Sequence, residues 1–526
     1  MRPRSLWGLA GGLLMAVGSV VPSLIPRSGI IQGLLTGVCA ALGYGVGTSI
    51  GWLLRSHRRP GGRTILSACL LLLVPLWVGR MWQQQVSSLA GTASPPLAWI
   101  LIAFIVAIVV FCVLLAAARG IRLLTRSLSL GLQKVARPAV AGRVAFAIVG
   151  LVCALIVWNL PSIVVTVFRP VFEKMNASTP NGVTPPTSAF VSGGPDSQIP
   201  WTALGSQGRA FVSGVTSGDA LTTFSGAPAK VPIRVFVGID SSTSPEDRAR
   251  LAVSEIERFG GFDRSVIALG TSAGSGTVDP GITVPLEYLL NGDVATVSTQ
   301  YSILPSFLSI LVDQQNSIDA TRTVLDAVVA RVQKMPPGRR PAVVVFGESL
   351  GAYGANGAFT DLAQLQEQTS GALFEGPPNA TDLWRALTDA RTPGTPEIRP
   401  VYGDGRHVRW ANVPTDLATP ASPFRSPRIV YLQNASDPVV WWSPRLLWQR
   451  PDWLAEPRGP GVLPWLPWIP VFTYSGLTGD MINSQGVPAG HGHVYGTDPV
   501  VAWADILRPP GWTAADTAAL QQHLAN

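Results

Sequence analysis

The first 172 residues contain no aspartate or glutamate, although fifteen of the chain's 39 lysines and arginines fall there. That absence excludes the buried acids that mark ion pathways through membranes. The remaining 24 basic residues face all 31 acids, so the later part is acidic by 7 and the overall +8 belongs to the front of the chain. The basic balance is therefore no argument for nucleic acid, and none is expected as a partner. Cysteine is scarce too: Cys39, Cys69, Cys112 and Cys153 all lie in apolar stretches, and none follows. The later part must fold without disulfides and holds no thiolate metal site. Histidine occurs only five times, which narrows the search for a base.

What the front does have is apolar sequence. Five stretches stand out at about residues 7–26, 29–54, 64–83, 98–118 and 144–168, each near or above the roughly 20 residues a bilayer-spanning helix needs. Pro22, Pro75 and Pro161 interrupt three of them, which a packed bundle tolerates. Arg2 and Arg4 precede the first stretch, Arg55, Arg58, Arg59 and Arg63 follow the second, and a run from Arg119 to Arg143 follows the fourth. Arg27, Arg80 and Arg169 are the exceptions, and Gln83 to Leu97 carries no charge. With the basic loops in the cytoplasm, the pattern predicts an inside N-terminus, an odd number of crossings and everything after the fifth outside the plasma membrane. No small-residue cleavage site follows the first stretch, so it reads as a retained helix.

Residues 171–200, rich in Pro, Gly, Ser, Thr and Asn, read as a flexible linker between a multi-span membrane domain over 1–170 and a second domain over 201–526. In that second domain strand-like runs alternate with helix-like ones, the signature of a largely parallel sheet flanked by helices. Strands are expected at about Ile233–Val237, Ser265–Leu269, Val294–Thr299, Ala342–Phe346, Arg428–Leu432 and Pro470–Tyr474. Helices are expected at about Pro245–Phe259, capped by Ser244, and Asp319–Lys334.

The pattern G-x-S-x-G occurs three times. Gly47 to Gly51 lies inside an apolar stretch with no titratable neighbour and reads as small-residue helix packing. Gly270 to Gly274 follows a strand-like run, but Gly276, Pro280 and Gly281 delay any helix, so its Ser272 lies on a loop. Only Gly347-Glu348-Ser349-Leu350-Gly351 has a strand before it and a helix-compatible stretch, Ala352 to Gln368, after it. A serine held on such a turn can be reached by a base while a helix N-terminus stabilises the oxyanion that attack creates.

The base is sought among few residues. His57 sits in a basic loop, His523 three residues from the end, and His407 in a polar stretch with no strand leading to it. That leaves His491 and His493, on the loop expected after the last strand. His493 is favoured because Val494-Tyr495-Gly496 follows and can pack its ring; a metal pair is disfavoured because no cysteine or acidic cluster completes a shell. The orienting acid should lie between serine and histidine at a strand end, and Asp437, in Asn434-Ala435-Ser436-Asp437-Pro438, fits. The oxyanion hole should use the Leu350 N–H and a second donor from Thr271 to Gly276, with Ser272 and Ala273 the candidates. No cofactor and no metal is expected.

With these residues assembled, the second domain resembles the membrane-anchored α/β-hydrolases of actinobacteria, whose N-terminal part is itself a multi-span membrane domain. The resemblance rests on Val235 to Ser241, Gly261 to Ser265, Gln300 to Ser306, Phe346 to Ala352 and Gly490 to Tyr495. A more distant similarity, to cutinases, lies in the loop near 271–276 and in a histidine followed shortly by tyrosine. The resemblance to the membrane-anchored family implies a transmembrane bundle of about five spans followed by an α/β-hydrolase domain, and a serine hydrolase; the cutinase similarity carries over only the catalytic order. Between Asp437 and the expected last strand lies an insert with Trp441, Trp442, Trp448, Trp453, Trp465 and Trp468, suited to a membrane interface, to a wall for a long acyl chain, or to a cap on the domain's own core. The expected partners are thus the membrane and a lipid or other hydrophobic ester, cleaved by an esterase or lipase. Acyl transfer by the same triad, or a membrane scaffold whose outer domain only binds, are the alternatives; oligomeric state is not legible.

Overall fold

The computed structural model describes residues 5–56, 58 and 60–525. Arg2, Arg4, His57 and Arg59, named above, lie outside the described residues. The chain divides into two compact units: Met1–Leu160 with Trp442–Pro488, and Pro161–Trp441 with Ala489–Asn526.

The first unit is helical. It contains α1 (Leu6–Gly18), α2 (Gly29–Leu53), α3 (Gly62–Leu89), α4 (Ala98–Leu132) and the start of α5 (Pro138–Ala177). Ser5 and Ser28 cap the first two by accepting the N–H of Gly8 and Ile31. Among the described residues, four helices, α2 to α5, are long and apolar enough to cross a membrane by length and composition.

The stretch at 7–26 departs from expectation. It is helical for only 13 residues, roughly 20 Å at 1.5 Å per residue and short of a bilayer. Pro22 and Pro26 then remove two backbone donors, and residues 19–28 run irregularly. The segment still lies antiparallel along α2, with Gly8 against Tyr44 and Thr48, Gly12 against Ala40, and the Ser19 hydroxyl 2.9 Å from that of Thr36. Irregular backbone among apolar helices must find polar partners. Gln32 Nε2 donates to Ser19 O, Arg27 N–H donates to Gln83 Oε1, and Trp99 Nε1 donates to Arg27 O, at 3.0, 2.8 and 2.9 Å. The first G-x-S-x-G is packing: a Cβ at Gly47 would lie 2.1 Å from Trp7 O.

The tryptophan-rich segment after Trp441 belongs to this unit. The strand expected at Pro470–Tyr474 is absent; the chain forms a helix over Phe472–Met481 instead. A five-residue apolar run does not distinguish the two, and here side chains decide. The Phe472 ring fills the space beside Gly18, Leu35 lies against Gly479, and Asp480 meets Arg27. Asp480 Oδ1 accepts from Arg27 Nε at 2.9 Å and Oδ2 accepts the Leu24 N–H at 2.9 Å, with both charged side chains almost wholly buried.

The second unit is built on seven parallel strands: β1 (Ile233–Val237), β2 (Val266–Thr271), β3 (Val294–Thr299), β4 (Ala342–Glu348), β5 (Gly371–Glu375), β6 (Val408–Ala411) and β7 (Arg428–Leu432). Their order is β1-β3-β2-β4-β5-β7-β6, with β4 at the centre. Both faces are covered, so β1, β2 and β3 are buried at every residue, and their sequences are rich in β-branched and apolar residues rather than alternating with exposed polar ones. β5 and β6 have no such signature, since Gly371, Glu375 and Arg409 break the apolar pattern. Residues 178–200 differ from the expected linker: Val191 bridges to Arg234, and the Ser192 hydroxyl accepts the Phe236 N–H at 3.1 Å.

Removing one partner of the Arg27–Asp480 pair leaves the other buried and unpaired. Asp480→Ala in the full-length protein is expected to cost about 3 kcal/mol or more, read as a lowered Tm in detergent. The double change Arg27→Met with Asp480→Leu should recover most of that loss; a Tm unaffected by Asp480→Ala would refute the assignment.

Candidate active site

β4 ends at Glu348 and the helix Leu350–Gly357 begins two residues later, leaving Ser349 alone to turn the chain. It does so with φ 55° and ψ −122°, a left-handed backbone that costs a non-glycine residue of order 1 kcal/mol or more. The turn is clamped by its neighbours: Ser349 N–H donates to Glu375 O at 2.9 Å, and Ser349 O accepts the Tyr353 N–H at 3.0 Å. Only small residues fit beside it. A Cβ at Gly347 would lie 2.4 Å from the Gly351 carbonyl carbon, and one at Gly351 would lie 2.4 Å from Thr271 O. Leu350 opens the helix, so its N–H is among the first-turn donors that no intrahelical carbonyl accepts.

β7 runs beside β5 and leads into Asn434-Ala435-Ser436-Asp437, which grips the histidine loop. Asn434 Nδ2 donates to Gly492 O and Val494 O, and the Ser436 hydroxyl accepts the Gly492 N–H, all at 3.0 to 3.1 Å. His493 Nδ1 is thereby held 2.7 Å from Asp437 Oδ2, with both side chains buried. The Tyr495 hydroxyl donates to the same oxygen at 2.6 Å and the Val439 N–H to Oδ1 at 2.8 Å, so the carboxylate is fixed from three directions. Tyr495 also packs edge-on against the His493 ring, and Gly376 leaves room for it, since a Cβ there would lie 2.4 Å from His493 Cε1.

His493 Nε2 makes no hydrogen bond among the described residues, and Glu348 Oε1 stands 3.7 Å from it. Burial pulls the His493 imidazole down, but the attraction and hydrogen bond of Asp437, joined by Glu348 and Asp279, carry it up to about 9. Burial lifts the Glu348 carboxyl to about 7, with His493 opposing and Asp279 and Asp437 adding to the rise. Glu375, the cross-strand partner of Glu348, is pushed well above the usual range by burial and then by Asp279 and Glu348. Asp279 is raised by burial, against its hydrogen bond from the Gly281 N–H and the pull of His493.

Two sequence candidates do not join this group as expected. The His491 imidazole makes no bond to Asp437; its Nδ1 is unpartnered, and burial lowers its pKa. Ala273 donates its N–H to Thr277 O at 2.7 Å, which closes the loop on itself and leaves nothing for an oxyanion. Ser272 uses its hydroxyl on Thr299 O, yet its backbone carbonyl carbon would lie 3.5 Å from a Cβ at Gly351, so this loop does run against the turn that carries Ser349.

A model described as an α/β-hydrolase family matches residues 233–520. The chain belongs to that family. A model of the family's N-terminus matches residues 20–215, most of the apolar helices included. No curated protein and no solved structure matches the chain. Sequence reasoning missed Glu348 and Glu375 as part of the hydrolase domain's site; two acids at the ends of adjacent buried strands were the available signal. It also missed the hydroxyl of Tyr495 as a donor to Asp437, having used only its ring.

Because the Glu348 charge favours the protonated imidazole, Glu348→Gln is expected to let His493 lose its proton at lower pH. The half-maximal pH of fluorophosphonate labelling should fall in the variant; an unchanged or higher value would separate Glu348 from His493.

Proposed function

We propose that the protein is a membrane-bound serine hydrolase that cleaves a hydrophobic ester, with Ser349 as nucleophile, His493 as base and Asp437 as the group that orients it. One observation carries this reading. A serine forced to positive φ on a strand-to-helix turn and a buried histidine–carboxylate pair stand beyond the carboxyl ends of β4 and β7 in one parallel sheet. Ser349 Oγ bonds to the ester carbonyl carbon as its proton passes to His493 Nε2, the ring nitrogen without a hydrogen-bond partner among the described residues. The oxyanion takes the Leu350 N–H, and the imidazolium is steadied by Asp437. Collapse expels the alcohol, which recovers the proton from His493. Water then repeats the sequence on the acyl-enzyme and releases the acid.

The hydrophobic substrate class is supported by the segment that separates Asp437 from His493 along the chain. Residues 442–488 belong to the unit of apolar helices, and within them Trp448 and Trp465 are exposed. An extracytoplasmic position is supported by Leu6 N–H donating to Arg58 O at 3.1 Å, which puts the start of α1 beside the basic connection between α2 and α3. The segment from Leu6 to Arg27 then runs the length of α2, so the chain traverses the unit a fifth time although α1 itself is short.

Membranes bearing the full chain are expected to react with a fluorophosphonate probe, and Ser349→Ala to abolish the reaction. Labelling that survives in Ser349→Ala moves the nucleophile elsewhere and sinks the reading. Asp437→Asn should slow ester turnover on the order of a thousandfold or more. A membrane-impermeant probe should label intact cells; labelling only after lysis would reverse the orientation.

A further inference from the structure

α2 packs its glycines on two neighbours. Against α1, a Cβ at Gly43 would lie 2.2 Å from Gly11 O; against α4, Cβ atoms at Gly33 and Gly37 would lie 2.7 and 2.8 Å from Ala103 O and Ala107 O. The α4 contacts advance with those of α2, so the two helices run the same way. Farther along the same pair of helices, Tyr44 and Phe111 pack edge-on, 5.8 Å apart. A Cβ at Gly45, the next residue of α2, would meet no atom within 4 Å. Between α2, the connection that follows it and α4, with Ser5 at the margin, lies a cavity of about 890 Å³.

Its lining changes along its length. Phe111, Leu114 and Leu115 supply apolar wall from α4, and Arg119 and Arg122 follow on the same helix, joined by Arg58 from the connection after α2. None of these three arginines has an acidic partner among the described residues, and the first 172 residues offer no acid. The three guanidiniums are exposed on one cavity and form a positive site open to an anion, and a phosphodiester fits their planar donors. The apolar wall calls for alkyl chain, and the volume suits a ligand of drug size or an equivalent part of a lipid.

We propose that this cavity binds an anionic glycerophospholipid, its phosphate held by Arg58, Arg119 and Arg122 and an acyl chain lying along Phe111 and Leu115. The site is separate from Ser349 and its ligand is not the ester proposed above. The full-length protein in detergent is heated with phosphatidylglycerol, with phosphatidylcholine of the same chains, or with inorganic phosphate. Phosphatidylglycerol should raise the Tm saturably, and the paired change Arg119→Gln with Arg122→Gln should weaken its apparent affinity roughly tenfold or more. Gly45→Leu, which fills the cavity and leaves every charge in place, should weaken it as well, and this variant decides the matter if the arginine pair fails to fold. Equal stabilisation by phosphatidylcholine would mean general lipid solvation, and a matching response to inorganic phosphate would mean an anion site without a lipid tail. Either result, or an affinity unmoved by both variants, overturns the proposal.

Discussion

The backbone at Ser349 is the constraint around which the second unit is arranged. A left-handed residue between a strand and a helix is affordable only where its neighbours leave no other course. Here Gly347 and Gly351 approach to near contact, Glu375 O holds the Ser349 N–H, and the start of the helix closes on Ser349 O. Each clamp comes from a buried element: β4 and β5 lie side by side at the middle of the sheet, and the loop after β2 presses on Gly351. The sheet order thus delivers a half-buried turn whose geometry a local sequence could not maintain alone.

Around that turn the electrostatics are one-sided. Asp279, Glu348, Glu375 and Asp437 all act on His493 or on each other, and His493 is the one cationic group they share. Such a cluster cannot be fully ionised, because like charges in a buried site suppress one another. Burial therefore favours the protonated form of Asp279, Glu348 and Glu375, while Asp437 is bonded to His493 and Tyr495. The same field disfavours an anionic substrate close to His493, which agrees with a neutral ester.

Much of this arrangement was legible in the sequence. Buried parallel strands announce themselves as short runs rich in β-branched and apolar residues, so β1, β2, β3, β4 and β7 were placed within two residues, and the strand–serine–helix order singled out one of three G-x-S-x-G patterns. β5 escaped because Glu375 ends it and Gly371 begins it, a composition that suggests a loop until its partner strands are known. The strand expected at Pro470–Tyr474 failed for the opposite reason, since Phe472 and Asp480 answer to Gly18 and Arg27, more than 400 residues away in the chain. The choice between His491 and His493 was likewise tertiary: the i, i+2 spacing leaves both open, and the grip of Asn434 and Ser436 on Gly492 selects which ring meets Asp437.

The Trp442–Pro488 segment makes the hydrolase domain hard to excise. Both of its ends connect to the acid and histidine loops, yet its helix is completed by Arg27, Ser23 and Leu35 near the start of the chain. A fragment beginning after the apolar helices would carry Asp480 without its arginine and Phe472 without Gly18, placed on the one tether that joins Asp437 to His493. In such a protein, truncation disturbs the loops that carry Asp437 and His493, because the segment joining them is packed among the apolar helices.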